Sequence, residues 1–244
     1  MSSSMKTSIV TPSLDLMDVI AALPCLTQWR NSKGRLMPLH IMASPGMGKT
    51  VLAEFAAKVM AKAHPGEPVG FSVQNLGIMA PTDVPGYTLF DTIMGPNGPE
   101  KVAVYTRPTL FHVNRAIMYA PNHEGADSQG FIESDRDDRG QKLFVGCTIW
   151  GKLLLRGLTL LDEFMQADAD VRKTAAPLLD EGRVATHYLP RDWAIWAASN
   201  RARDASGTGR ALAFLTNRVA CFEVKLTMDL TEAYLNGESM LEPS

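Results

Sequence analysis

Two short stretches hold the residues best suited to chemistry. The first is Ala43-Ser44-Pro45-Gly46-Met47-Gly48-Lys49-Thr50. An apolar run, Pro38 to Met42, leads into it, and a helical run, Val51 to Ala63, leads out. A strand, a glycine-rich loop and a helix in this order form the arrangement that cradles a triphosphate. Successive main-chain N–H groups turn inward, and the helix adds its positive N-terminal end. Gly46 and Gly48 supply backbone angles and close approach that a Cβ would hinder. The expected nucleotide contacts are Ser44, Pro45, Gly46, Met47, Gly48, Lys49, Thr50 and Val51. Lys49 would reach the β- and γ-phosphates, and the Thr50 hydroxyl would ligate Mg²⁺. The usual pattern begins with Gly, where this chain has Ala43.

The second stretch is Leu158-Thr159-Leu160-Leu161-Asp162-Glu163. A buried strand ending in two adjacent acids is costly unless the acids are paired or used. Beside a phosphate loop, Asp162 would join the nucleotide site and the Mg²⁺ shell. Glu163 would polarise an attacking water as general base. Two acids can also simply cap a helix start. A third strand, Trp193 to Ala198, ends at Ser199-Asn200. In an open α/β sheet a polar side chain at such a tip lies where ligands bind, so Asn200 could hold the water or the γ-phosphate. Its other reading is an Asn that starts a turn. Arg218 stands between the helical stretch Ala211 to Asn217 and the strand Val219 to Val224. It is either a helix C-terminal charge or a group that enters a neighbour's nucleotide site.

The elements that must position these residues follow from periodicity and turn signals. Residues 1–12 read as a flexible arm. Leu14 to Leu26 has helical spacing, with Ser13 or Asp15 as cap and Pro24 ending or bending it. Val69 to Val73 reads as a strand, and residues 88–107 as a hairpin with Gly95-Pro96-Asn97-Gly98 at its tip. Thr109 to Tyr119 reads as a helix after Pro108. Residues 121–141 are acidic and glycine-rich, an exposed mobile loop by composition, or a carboxylate cluster for a cation. Leu143 to Trp150 reads as a strand. Asp168 to Asp180 reads as a helix stopped by Gly182, and Arg183 to Leu189 as a strand.

At 244 residues the chain can bury one full core. With hydrophobic residues at 45% and charged residues at 20%, it reads as an ordinary globular protein. A net charge of −2 gives no global attraction to nucleic acid or anionic membrane. Cys25, Cys147 and Cys221 match no disulfide or zinc framework, which points to a reducing compartment. No signal peptide or membrane span is read from the sequence, so a cytoplasmic protein is expected.

The order ASPGMGKT, LTLLDEF, a helix ending LLDEGRV, WAIWAASN and FLTNRV resembles the AAA+ ATPases. It is most similar to their MoxR-type branch, including phage versions and those encoded beside von Willebrand A-domain proteins. Ala80-Pro81-Thr82-Asp83-Val84-Pro85-Gly86 resembles that branch's loop after the second strand. The resemblance implies a three-layer α/β P-loop domain with a central parallel sheet over 13–226. The stretch between Lys49 and Asp162 is long for that family, so about 88–150 reads as an insertion that could bind a partner. By it, Lys49 and Thr50 are Walker A, Asp162 and Glu163 Walker B, and Asn200 sensor 1. Arg218 is the arginine finger acting in trans, with Arg210 a second candidate. It implies ATP and Mg²⁺ as ligands and a homo-oligomeric ring, usually a hexamer. It also implies chaperone-like remodelling of a protein partner, such as a von Willebrand A-domain protein, in a bacterial cytoplasm or that of a phage's host. Residues 227–244 look like the start of a truncated helical lid. A nucleotide-dependent assembly scaffold with little turnover, or a DNA-acting motor or loader, shares the same core.

Overall fold

The computed structural model describes residues 12–201 and 219–225. Its centre is an eight-stranded sheet flanked by helices on both faces. Chain order gives β1 (Ser13–Asp15), α1 (Leu16–Leu26), β2 (Leu39–Ala43), α2 (Lys49–Ala63), β3 (Val69–Asn75), β4 (Thr88–Gly95) and β5 (Gly98–Tyr105). Then follow β6 (Arg115–Tyr119), β7 (Phe131–Ser134), β8 (Thr148–Ile149), β9 (Lys152–Leu153), β10 (Arg156–Asp162) and α3 (Ala169–Glu181). The described chain closes with β11 (Arg183–Val184), β12 (His187–Tyr188), β13 (Asp192–Asn200) and β14 (Ala220–Lys225).

Strands of the main sheet lie in the order β1-β14-β2-β13-β10-β3-β6-β7. The run from β1 to β3 is parallel, and β6 and β7 close one edge antiparallel. Parallel strands covered on both faces must be apolar on both, and β13 is. Its Ala194, Trp196 and Ala198 join the core under α1 and α2, while Trp193, Ile195 and Ala197 join the core under α3. The fold is therefore a three-layer α/β domain. β13 and β10 lie between β2 and β3 although the chain visits them later, which opens a crevice beyond the carboxyl ends of the strands.

One packing contact fixes the sheet tightly. The Trp193 indole lies across Gly70 and Gly157, and its Nε1 donates to Thr159 Oγ1 at 2.9 Å. A Cβ on Gly157 would stand 2.6 Å from two Trp193 ring carbons and 2.7 Å from the Gly70 carbonyl oxygen. Gly157→Ala will therefore cost about 1–3 kcal/mol of stability, read as a lower urea midpoint at unchanged slope.

Several expectations need correction. Thr109 to Tyr119 is not a helix: Thr109–Phe111 is a single 3₁₀ turn, and Arg115–Tyr119 is β6. The apolar spacing there suits both periods, and pairing with the open edge of β3 decides it, Gly70 facing Ala116. The Asn114 side chain extends that pairing by accepting from the Val73 amide at 2.6 Å. The acidic stretch 121–141 is not one mobile loop, because it contains β7, paired to β6. Nor do its acids gather around a cation; among the described residues no group of three His, Cys, Asp or Glu could hold one. Asp127 and Asp137 instead shape turns, accepting the amides of Phe131 and Gln141 at 2.8 Å. Glu133 pairs with Arg115 at 2.8 Å and Lys58 at 3.2 Å, tying β7 to α2.

Pro24 does not end α1, which runs on to Leu26. A proline in the last turn forfeits one hydrogen bond, and buried Val19 and Leu23 hold the helix down. Asp15, not Ser13, is its cap and accepts from the Met17 amide at 2.9 Å. Leu143 to Trp150 holds only the two-residue β8, because the chain turns at Gly146 with φ 84°. Arg183 to Leu189 is a hairpin, β11 with β12, rather than one strand. The expected arm 1–12, except Pro12, and the expected lid 227–244 lie outside the described residues, as do Arg210 and Arg218.

Candidate functional site

All five residues of β2 are buried, so the chain has to leave the core at Ala43. It turns through Gly46 at φ 78° and Gly48 at φ 70°, both left-handed. Gly48 is also the N-cap of α2. No side chain caps that end of the helix, and its first turn carries no acid. The first amides of α2 and their positive dipole end are thus left for a ligand.

Lys49 opens α2 and points back across the loop. Its Nζ donates to the Ser44 carbonyl at 3.3 Å and to Asn200 Oδ1 at 3.1 Å. Asn200 reaches that position because β13 pairs directly with β2, Asn200 facing Ala43. On the other side of β13, β10 ends at Asp162. A cleft of about 190 Å³ brings Pro45, Gly46, Lys49, Asp162, Glu163 and Asn200 together. Gln166 and Ser199 also line it; sequence reasoning missed both. Ser44 contributes its carbonyl to Lys49. Met47 packs partly into the core below α2, and Gly48 acts through the backbone. Thr50 and Val51 are exposed on the first turn of α2 and do not line this cleft.

Glu163 has φ 54°, a left-handed conformation that costs a residue with a Cβ on the order of 1–3 kcal/mol. The turn is held from three directions. Its own amide donates to Asp162 Oδ1 at 3.0 Å, Phe164 N–H donates to the Ala198 carbonyl at 3.0 Å, and Met165 N–H donates to Ser199 Oγ at 3.0 Å. Fully buried Phe164 anchors it in the core under α3. Next door, Asn75 ends β3 opposite Asp162, and its side chain accepts from the Gly77 amide at 2.8 Å. A Cβ at Gly77 would overlap a Glu163 carboxylate oxygen. Gly77 therefore makes room for that carboxylate. Asn75 could have been found by the signal that found Asn200, a polar residue at a strand tip, whereas Gly77 carries no local signature.

Behind the cleft, His40 on β2 is fully buried, and burial pushes its pKa down to about 4. Below pH 6.5 the unfolded chain takes up a proton that folded His40 refuses until about pH 4. Stability is therefore complete above pH 6.5 and falls towards pH 4 by up to about 1.4 kcal/mol per pH unit. His112 is displaced in the same direction, by partial burial and then by Lys142, so His40→Phe will reduce this slope by one proton rather than abolish it. Urea unfolding at pH 7 and pH 5 in both proteins measures the difference.

No helix among the described residues is long and apolar enough to cross a membrane. No family model matches the chain. No curated protein matches it either. The fold does resemble solved structures, among them a candidate ATPase from Cytophaga hutchinsonii, with 12% identity and a TM-score of 0.45. That alignment covers 93% of this chain and 52% of the other, so this chain spans about half the length of that structure.

Proposed function

We propose that this protein is a Mg²⁺-dependent ATPase that hydrolyses ATP at the contact between copies of itself. The observation that carries the reading is the single cleft in which Lys49, Asp162, Glu163 and Asn200 converge beside the uncapped start of α2. The loop amides and Lys49 bind and orient the phosphates, replacing the contacts Lys49 makes with Ser44 and Asn200. Glu163 takes the proton of the attacking water, and Asn200 orients that water or the γ-phosphate. Asp162 in the cleft and Thr50, carried on the exposed first turn of α2 outside its lining, would together supply oxygen donors, as a hard cation needs. Mg²⁺ held there would neutralise charge on the β- and γ-phosphates.

On the resemblance in the motifs, the assembly is a ring, a hexamer in the usual case, with Arg218 of one copy completing the site of the next. Its work is chaperone-like remodelling of a protein partner such as a von Willebrand A-domain protein, in a bacterial or phage-infected cytoplasm. The domain would span 13–226, with 88–150 as an insertion available to that partner. Calorimetric titration with Mg–ATP and phosphate release across protein concentration test the reading. Affinity for ATP and a specific activity that rises with assembly are expected. Absence of affinity overturns the reading, and bound nucleotide with background turnover at every concentration replaces it with a scaffold.

A further inference from the structure

Ser199 is an unusual residue for its position. It is the next-to-last residue of β13, 1% exposed, on the face that packs under α3. Its Oγ accepts the Met165 amide at 3.0 Å and lies 2.9 Å from Nε2 of fully buried His40. His40 faces Ala197 on one neighbouring strand and Cys221 on the other. Its Nδ1 is 3.9 Å from Cys221 Sγ, whose thiol lies 3.6 Å from the Val219 carbonyl. One assignment uses every hydrogen. The Cys221 thiol donates to Val219, His40 Nδ1–H to Cys221, the Ser199 hydroxyl to His40 Nε2, and Met165 N–H to Ser199. The opposite tautomer leaves the Ser199 hydroxyl hydrogen without an acceptor among the described residues.

We propose that Ser199 and His40 are positioning residues for Glu163. His40 orients the Ser199 hydroxyl, whose oxygen pins the Met165 amide and so holds the turn that presents the Glu163 carboxylate to the cleft. The inference rests on reading Glu163 as the base. Among the described residues, two bonds tie the segment after Glu163 to β13, from Phe164 to Ala198 and from Met165 to Ser199. The second is the only one of the pair with a side-chain acceptor, so side chains alone can adjust it. A left-handed glutamate relaxes unless its surroundings over-determine it, and a shift near 1 Å at a reacting group costs on the order of 10²-fold in rate. An apolar pair at positions 40 and 199 would fill the core equally well and leave the Met165 amide unpaired. This distinguishes positioning from simple packing.

The test combines kinetics with amide exchange. Ser199→Ala and His40→Phe are expected to lower kcat by about 10- to 100-fold, with KM for Mg–ATP within about twofold of wild type. Ser199→Thr keeps the hydroxyl and is expected to recover most of kcat. In a Glu163→Gln background, Ser199→Ala should cause no further loss, since the group it positions is gone; an equal proportional loss there overturns the proposal. Independently of activity, exchange protection of the Met165 amide should fall in Ser199→Ala and His40→Phe and persist in Glu163→Gln. If His40→Phe does not fold, Ser199→Ala, which deletes one oxygen, carries the test. A slow Glu163→Gln beside a Ser199→Ala that turns over at the wild-type rate overturns this inference alone. A Glu163→Gln at the wild-type rate overturns the base assignment instead, and loss of Met165 protection in Ser199→Ala still reports on the anchoring bond.

Discussion

Glu163→Gln will bind Mg–ATP with wild-type affinity and release phosphate at least about 10²-fold more slowly, the range lost with a positioned general base. The substitution replaces one carboxylate oxygen with an NH₂ group of similar size, so the space left by Gly77 still admits the side chain. The left-handed turn is held by the Phe164 amide on the Ala198 carbonyl, the Met165 amide on Ser199 Oγ and the buried Phe164 ring, none of which the substitution touches. The proposed phosphate cradle lies elsewhere, in the loop ending at Gly48 and in Lys49, so affinity and turnover should separate. Phosphate release with saturating Mg–ATP and calorimetric titration under the same conditions check it. Unchanged turnover removes Glu163 from the chemistry. Loss of binding instead shows that the carboxylate matters to the cradle. The proposed remodelling of a protein partner predicts that this variant, held in the ATP state, retains that partner, and a pulldown with it that captures nothing specific counts against that part of the proposal.

The glycine-rich loop between strand and helix, the acid pair and the polar strand tip could be read in the sequence because each is local. A glycine must take φ 70° where β2 runs into α2, and two carboxylates must lie at the end of an apolar strand. The strand order could not be read that way. That β13 lies between β2 and β10, bringing Asn200 to Lys49, follows from which strands pair, and nothing in a strand's own residues states its neighbours. The same holds for Thr109 to Tyr119. Its spacing fitted a helix, yet the open edge of β3 made it a strand. The acids of 121–141 looked like one patch by composition, whereas Asp127 and Asp137 hold turns and Glu133 pairs with Arg115 on β6 and Lys58 on α2. His40 and Ser199 are 159 residues apart and become partners only when two parallel strands align.

Arg218→Ala will fold, bind Mg–ATP and lose on the order of 10³–10⁵ in turnover, the contribution of an arginine that stabilises the transferring phosphoryl group. The register of β14 bears on whether this arginine acts in trans. Ala220, which opens β14, pairs with Leu39, whereas the glycine-rich loop leaves β2 at Ala43. Four residues of strand at about 3.3 Å each separate those levels by about 13 Å. One residue lies between Arg218 and Ala220. The chain thus enters β14 at the end of the sheet away from its own cleft, and the proposed function assigns Arg218 to the cleft of a neighbouring copy. Mixing separates this from every local explanation. Glu163→Gln and Arg218→Ala are each inactive alone, but in an equal mixture about a quarter of head-to-tail contacts pair an intact Glu163 with an intact Arg218. Turnover should return to roughly that fraction of wild type on mixing and vanish again on dilution below assembly. An Arg218 that acts within its own chain, or that only supports folding, leaves the mixture as inactive as its components.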